Sequence, residues 1–180
     1  DFSRSRGLGD VYKRQDYTST NKVDTSVFVD GLEHNKIVFI NGRIEKIDFD
    51  YEKKNQIEII DQSETINRFS NNNSLSDLNN AFTSKCFKIL VKKGYHLSKP
   101  LIIYHTFNSK IWSKNVNLRL DFELNQDSSL RVIDLFNEAS EKNFLNIFYN
   151  FELKENAVLK NYKVDKLKNK NIKYLSLIHI

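Results

Sequence analysis

The chain has 180 residues, of which 39% are hydrophobic and 28% charged, and its formal net charge is +5. This balance excludes an intrinsically disordered protein, and no stretch approaches the roughly 18 consecutive apolar residues of a membrane helix. A single cysteine excludes an internal disulfide and a cysteine cage for a metal, so we expect one globular domain in the reducing cytoplasm.

The two ends of the chain differ in composition from the rest. Residues 1–15 contain three arginines, whereas the whole remainder of the chain contains four. The stretches "GLGDVYKRQ" and "LSLIHI" also resemble translated sequencing-adapter DNA, so we expect residues 1–15 and 175–180 to be artefact tails on a piece of a longer protein. Residues 1–15 carry four positive and two negative charges. The remainder therefore has a net charge of +3, which favours a lysine-rich surface over a nucleic-acid-binding one.

Strand signals and a linker occupy the segment 16–76. Residues 27–30, "VFVD", and 37–40, "IVFI", are β-branched and aromatic runs that are typical of strands. Asn41-Gly42 favours the left-handed backbone of a tight turn, so we expect a hairpin centred on these two residues. The stretch 61–76 is rich in Asn and Ser and predicts a linker.

A short helix is predicted over 77–84, at the start of the main domain, which we place at 77–174. Ser76 can cap its first turn. The apolar residues Leu78, Ala81 and Phe82 fall on one side of this helix. We expect that side to cover the end of the apolar core that follows.

From residue 86 onward, short apolar runs alternate with polar turns, which predicts a mainly all-β fold. A 29-residue offset brings equivalent apolar positions into register: Ile89, Leu118 and Ile147, then Val91, Leu120 and Tyr149, then Leu101, Leu130 and Leu159. Such a repeat is typical of a solenoid, in which equivalent positions stack into one interior. Antiparallel hairpins of matching length would give the same alternation of apolar and polar residues, so periodicity leaves both architectures open.

Several motifs occur in an order that is typical of one protein family. The stretch "LNNAF" at 78–82 is followed by "KILVKKG" at 88–94 and "LSKPLIIYH" at 97–105. Flanking stretches agree with this order: "VFINGR" at 38–43, "NLRLDFELNQDSSLRVID" at 117–134 and "NFELKENAVLKNYKV" at 150–164. Together, over about residues 27–174, they resemble the SufD proteins of the SUF iron–sulfur cluster assembly system. The sister family SufB carries a Glu-Gly-Cys element, whereas "DLFNEAS" at 134–140 has no cysteine, which favours SufD.

The resemblance to SufD implies both a fold and a role. The implied fold is a right-handed parallel β-helix preceded by a small α+β N-terminal segment. The implied role is that of a non-catalytic scaffold that pairs with a SufB-like paralogue and a SufC-like ATPase, while a cluster forms at the interface of the two paralogues. The family elements that bind the ATPase, and its interface histidine, lie nearer the C-terminus than the stretch matched here. We therefore carry over no functional residue, and we expect no cofactor on this segment and neither nucleic acid nor membrane as partner.

The cysteine and the histidines are the first candidates for chemistry. We interpret Cys86, at a predicted strand start, as a buried structural thiol rather than a sulfur acceptor. His96 and His105 are nine residues apart and have no carboxylate at metal-ligand spacing. His34 lies in a predicted polar turn. No catalytic or metal-binding residue is therefore assigned.

A carbohydrate-active β-helix enzyme is the alternative function. Such enzymes cluster carboxylates on neighbouring turns of the helix. The 29-residue register produces no such cluster: Asp121 aligns with Lys92 and Asn150, and Asp134 aligns with His105 and Lys163. The sequence therefore weighs against this chemistry.

Nucleotide and nucleic-acid binding are further alternatives. Gly94 follows two lysines, but no glycine-rich phosphate loop precedes a helix there. A single-strand binder would use exposed aromatic rings to stack bases. We instead expect core positions for the prominent aromatic residues: Phe82, Phe87, Phe107, Trp112, Phe122 and Phe136.

Overall fold

The computed structural model describes residues 28–64, 74–83, 85–107, 115–137, 144–166 and 172–179. Within these ranges the chain is mostly β-strand, with one short helix. The elements are β1 (Asn35–Ile40), β2 (Arg43–Asp48), β3 (Ile57–Asp61), α1 (Ser74–Phe82), β4 (Cys86–Val91), β5 (Leu101–Thr106), β6 (Asn115–Leu124), β7 (Ser129–Phe136), β8 (Phe144–Leu153), β9 (Val158–Asp165) and β10 (Ile172–His179). No helix in this part of the chain has the length and apolar character needed to cross a membrane.

The strands form two mixed five-stranded sheets. The first sheet has the order β2-β1-β5-β7-β9, and the second has the order β10-β8-β6-β4-β3. The β1/β2 and β3/β4 pairs are antiparallel, whereas the other pairs are parallel. From β4 onward, successive strands therefore belong to the two sheets in turn. The stretch 175–179, which was expected to be an artefact tail, forms part of β10.

The predicted hairpin at Asn41-Gly42 is confirmed. Both residues have positive φ, at 53° and 79°, as a tight turn between antiparallel strands requires. The strand predicted at 27–30 is wrong over its described residues, because 28–30 contain no strand. That segment instead packs on the outer side of the first sheet, where Val29 N–H donates to the Tyr104 hydroxyl at 3.0 Å. Strand β3 had no predicted counterpart.

The larger of two buried apolar clusters among the described residues lies between the two sheets and forms the core. Along β6, the side chains of Leu118, Leu120, Phe122 and Leu124 alternate into this core and are at most 1% exposed. Core positions are confirmed for three of the predicted aromatic residues: Phe87, Phe122 and Phe136. Phe107 is half-buried, and Trp112 lies outside the described residues. Alternation in the sequence thus identified the buried face of β6 correctly.

The 29-residue register holds in only part of the structure. Leu118 pairs with Ile147 and Leu130 with Leu159, as expected. Ile89, however, pairs with Phe122 rather than with Leu118, and Leu101 pairs with Val132 rather than with Leu130. The earlier connections are longer, since nine residues separate β4 from β5 whereas four separate β6 from β7. A constant offset cannot follow turns of unequal length.

Helix α1 begins at Ser74 rather than at residue 77, so Ser76 is a helical residue and not its cap. The expected apolar face is also wrong. Phe82 is 47% exposed, whereas Asn79 is fully buried. The Asn79 amide donates to the backbone carbonyl oxygens of Asn146 at 2.7 Å and Leu118 at 3.4 Å. Because hydrogen bonds to these carbonyls outweigh apolar burial here, the polar side of the helix faces the second sheet.

A carboxylate attaches the loop after β2 to the turn before β5. Glu52 accepts hydrogen bonds from the side chains of Tyr95 and Asn35, both at 2.7 Å, and from the backbone N–H of Lys99 at 3.3 Å. Burial raises the pKa of Glu52, but these hydrogen bonds outweigh burial and hold the pKa below its ordinary value. The loop is thus held against the 95–99 turn.

Candidate functional site

A polar cluster lies inside the apolar core, where His105 of β5, Asp134 of β7 and Tyr149 of β8 meet. The Tyr149 hydroxyl donates to Asp134 Oδ1 at 2.8 Å, and His105 Nε2 lies 3.1 Å from the same oxygen. Asn161 Nδ2 of β9 donates to Asp134 Oδ2 at 3.1 Å. Asp134 therefore joins three side chains and links the two sheets across the core.

Strand alternation explains why these polar side chains point inward. On β7, the residues Val132, Asp134 and Phe136 occupy successive inward positions, and all three are fully buried. On β5, Ile103 and His105 likewise occupy successive inward positions and are buried. Each strand thus places one polar residue in a row of apolar ones. Such a residue is retained in a core only when its hydrogen bonds are satisfied.

The His105 ring is held between two phenyl rings. Its centroid lies 4.5 Å from that of Phe136 and 5.6 Å from that of Phe39, with interplanar angles of 8°. Because a carboxylate oxygen only accepts hydrogen bonds, the Nε2 atom that faces Asp134 carries a proton. The stacking therefore fixes the ring plane, and Asp134 fixes the position of this proton.

Burial and charge keep the Tyr149 hydroxyl protonated. Burial raises the pKa of Tyr149 well above its ordinary value, and the neighbouring Asp134 carboxylate adds to this effect. The hydroxyl is therefore a fixed donor to Asp134. His105, Asp134 and Tyr149 are at most 2% exposed, so the cluster is closed to solvent.

A lysine lies beside this cluster. Lys163 Nζ of β9 is 4.0 Å from the centroid of the Tyr149 ring, and it has no hydrogen-bond partner among the described residues. Burial lowers the pKa of Lys163, the Asp134 carboxylate opposes this shift, and Lys173 of β10 adds to it. The ammonium group is stabilised by the aromatic face and by the negative charge of Asp134. The arrangement provides charge compensation and anchoring rather than an open place for a substrate.

Cys86 is 2% exposed, which confirms the prediction of a buried thiol. Its Sγ atom lies 3.9 Å from Asp121 Oδ2, and Arg119 binds both oxygens of Asp121 at 2.8 and 3.1 Å. Burial, with the neighbouring Asp121 charge, raises the pKa of Cys86 to about 12. The reactive thiolate is therefore disfavoured at neutral pH.

The other histidines lie apart from this cluster. His96 is exposed, and its Nδ1 atom is 2.8 Å from Ser129 Oγ. His34, which was expected in a polar turn, is buried, and its Nε2 atom is 2.8 Å from the Tyr104 hydroxyl. In the part of the chain that the structure describes, no three His, Cys, Asp or Glu residues are grouped as metal ligands.

The strand partners of Asp121 and Asp134 differ in part from those expected. Asp121 pairs with Lys88, not Lys92, and Asp134 pairs with Ile103, not His105. The partners Asn150 and Lys163 are as expected. The contact between His105 and Asp134 arises diagonally, through their side chains. The signal that could have revealed it is a polar residue at an inward position of each strand.

Gly94, the other residue considered for ligand binding, lies in a turn. Its φ is 68°, and its N–H donates to the Gln126 carbonyl oxygen at 2.8 Å. The left-handed backbone explains the glycine without any ligand.

No protein-family model and no curated protein matches the chain. The resemblance to SufD rests on the order of short motifs.

Proposed function

We propose that the chain is part of a right-handed parallel β-helix and acts as a SufD-type scaffold subunit in iron–sulfur cluster assembly. The observation that carries this proposal is that, from β4 onward, each strand pairs in parallel with the next but one along the chain, while the chain passes between the two sheets in turn. A sandwich built from hairpins would instead pair neighbouring strands in opposite directions. The pairs formed among β4 to β10 are all parallel.

The stretch "LNNAF" at 78–82 has a physical role in the chain. Strand β4 pairs with β6 only from Arg119 onward, so the residues of β6 before it lack a β4 neighbour. The Asn79 amide of "LNNAF" donates to the Leu118 carbonyl oxygen in that region. The helix therefore completes hydrogen bonding at the start of the second sheet. This role supports the assignment of 78–82 as the family's structural element.

The interior of the fold also supports a scaffold. Asp134 joins β5, β7, β8 and β9 through His105, Tyr149 and Asn161, and the bonds to His105 and Tyr149 are buried. A solenoid braced in this way is a rigid platform on which partner subunits can dock. The carbohydrate-active alternative is not favoured, because Asp121 and Asp134 are flanked in register by Lys88, Asn150, Ile103 and Lys163.

Co-purification tests the proposed function. The full-length protein that contains this chain would be co-expressed with a SufB-like paralogue and a SufC-like ATPase, and complexes would be measured by size-exclusion chromatography with light scattering. We expect a stable complex that contains all three proteins. If the paralogue and the ATPase bind each other while the full-length protein elutes alone, the scaffold role is wrong.

A further inference from the structure

Strand β9 departs from the usual strand pattern, although its inward residue Leu159 packs against the apolar core. Its outward side chains Val158, Tyr162 and Val164 are 48%, 56% and 42% exposed. Its inward positions include the polar residues Asn161 and Lys163. A strand at the side of an apolar core normally places apolar residues inward and polar residues outward. Exposed apolar side chains grouped on one strand are typical of a surface that binds a partner.

The exposed apolar residues of β9 extend the outer apolar face of the first sheet, and another part of that face is covered by the segment 28–29. Val164 pairs with Leu135 of β7, and Tyr162 pairs with Ile133. Leu135 is 3% exposed and belongs to an outer apolar cluster against which Phe28 packs. The segment at 28–29 thus covers part of this face of the first sheet. The face remains open at β9.

Two positive charges border the exposed apolar residues. Arg131 of β7 pairs in register with Lys160 of β9, and both side chains are exposed. Neither forms an ion pair or hydrogen bond with any described residue. Like charges on adjacent strands repel each other, and carboxylates from a partner would remove this repulsion.

We infer that the outward face of β7 and β9 is a docking surface for an acidic, partly apolar sheet of the paralogous subunit. This β9 face comprises Arg131, Ile133, Val158, Lys160, Tyr162 and Val164. The inference rests on the proposed function. A flat sheet face packs best against another flat sheet, which a paralogue of the same architecture presents. A second copy of this chain fits poorly, because two-fold packing would bring the same cations to both sides of the interface.

Apolar and charge substitutions separate the two components of this surface. Tyr162→Ser removes the largest exposed ring, and the double variant Arg131→Glu/Lys160→Glu reverses the charge. Ile47→Ser is the matched apolar control, because Ile47 is 46% exposed on β2, at the opposite edge of the same sheet. Lys54→Glu, at an exposed position in the loop after β2, is the charge control. Circular dichroism melting would verify that each variant is folded.

Binding of each variant to the immobilised SufB-like paralogue would be measured by biolayer interferometry at two salt concentrations. We expect Tyr162→Ser to raise Kd by about 10- to 30-fold, as for an interface hot spot. The charge reversal should raise Kd by at least about 10-fold at low salt and less at high salt, since screening weakens charge pairs. The two controls should bind like the wild type.

Each alternative result has a distinct meaning. Wild-type binding that survives in both variants overturns this inference while leaving the scaffold role intact. If the wild type fails to bind the paralogue at all, the proposed function fails, and this inference fails with it. Self-association of the wild type that both variants abolish would identify a second copy as the occupant and overturn the acidic partner. Steeply salt-dependent binding of a single-stranded oligonucleotide, lost in both variants, would instead indicate a nucleic-acid surface and overturn the inference.

Discussion

Replacing Tyr149 by phenylalanine tests the internal polar cluster directly. The change removes one hydroxyl group and leaves the ring in its contacts with Phe122 and Phe151. The hydroxyl is buried and donates to Asp134 Oδ1 at 2.8 Å. The main effect is therefore the loss of one donor to a buried carboxylate.

The size of the effect follows from the remaining donors to Asp134. A hydrogen bond to a charged group contributes about 1.5–3 kcal/mol to stability. Asp134 keeps the donors His105 and Asn161, so we expect the lower part of that range, about 1.5–2 kcal/mol. For a chain of this size, such a loss lowers Tm by roughly 3–8 °C.

Urea unfolding followed by circular dichroism at pH 7 measures the free energy of unfolding for each variant. Tyr162→Phe is the matched control, because its hydroxyl is exposed and has no partner among the described residues; it should change stability by less than about 0.5 kcal/mol. Asp134→Asn alone and in combination with Tyr149→Phe completes a double-mutant cycle, with an expected coupling of about 1 kcal/mol. If Tyr149→Phe has no larger effect than Tyr162→Phe, the hydroxyl does not stabilise Asp134 and the reasoning is refuted.

Four further predictions concern other parts of the fold. Hydrogen bonds hold the folded-state pKa of Glu52 below its ordinary value of 4.5. The ionised carboxylate therefore stabilises the fold at pH values above the unfolded-state pKa, and this stabilisation is lost as the pH falls through the folded-state pKa. Glu52→Gln should therefore be less stable than the wild type at pH 7, and urea unfolding at decreasing pH should show this difference shrinking; a constant difference would contradict the assignment. Gly42→Ala should lower Tm more than Gly31→Ala does. Both glycines have φ above 70°, but only at Gly42 would a Cβ atom meet Val116, at 2.9 Å. Equal decreases in Tm would exclude this clash. Asn79→Ala should lower the free energy of unfolding, measured in urea, by about 2 kcal/mol, because two buried carbonyl oxygens lose a hydrogen-bond donor. An unchanged free energy of unfolding would disprove this attachment of α1. Iodoacetamide should modify Cys86 at pH 8 only in urea, as judged by mass spectrometry, since the thiol is buried with a pKa of about 12; rapid labelling of the native protein would show an accessible thiolate.

Local features of the fold were predictable because neighbouring residues decide them. Asn41-Gly42 specified a turn through its own backbone preferences, and the alternation of "NLRLDFEL" identified the buried side of β6. Strand β3 was missed, because "IEIID" is short and follows a polar loop. Helix α1 was predicted within three residues of its start, but its buried side was wrong, since Asn79 finds carbonyl partners that lie 39 and 67 residues away.

In the candidate site, too, some features follow from neighbouring residues and others only from residues that are distant in the chain. Polar residues at inward positions of β5 and β7 are visible in the sequence, and the 29-residue repeat aligned His105 with Asp134. In the structure Leu101 pairs with Val132 rather than with Leu130, so His105 and Asp134 lie diagonally across the two strands instead of side by side. The connection lengths that set this register have no periodic signature.

By itself, the amino-acid sequence determined a mainly β chain with a repeated alternation of apolar and polar residues, a buried cysteine and one defined hairpin. These properties depend on the preferences of single residues and their immediate neighbours. Only the tertiary structure decided which strands pair, which side of α1 is buried, and that Asp134 joins four strands across the core. Each of these outcomes requires residues distant in the chain to pack and hydrogen-bond together, and many registers share the same local pattern until packing selects one.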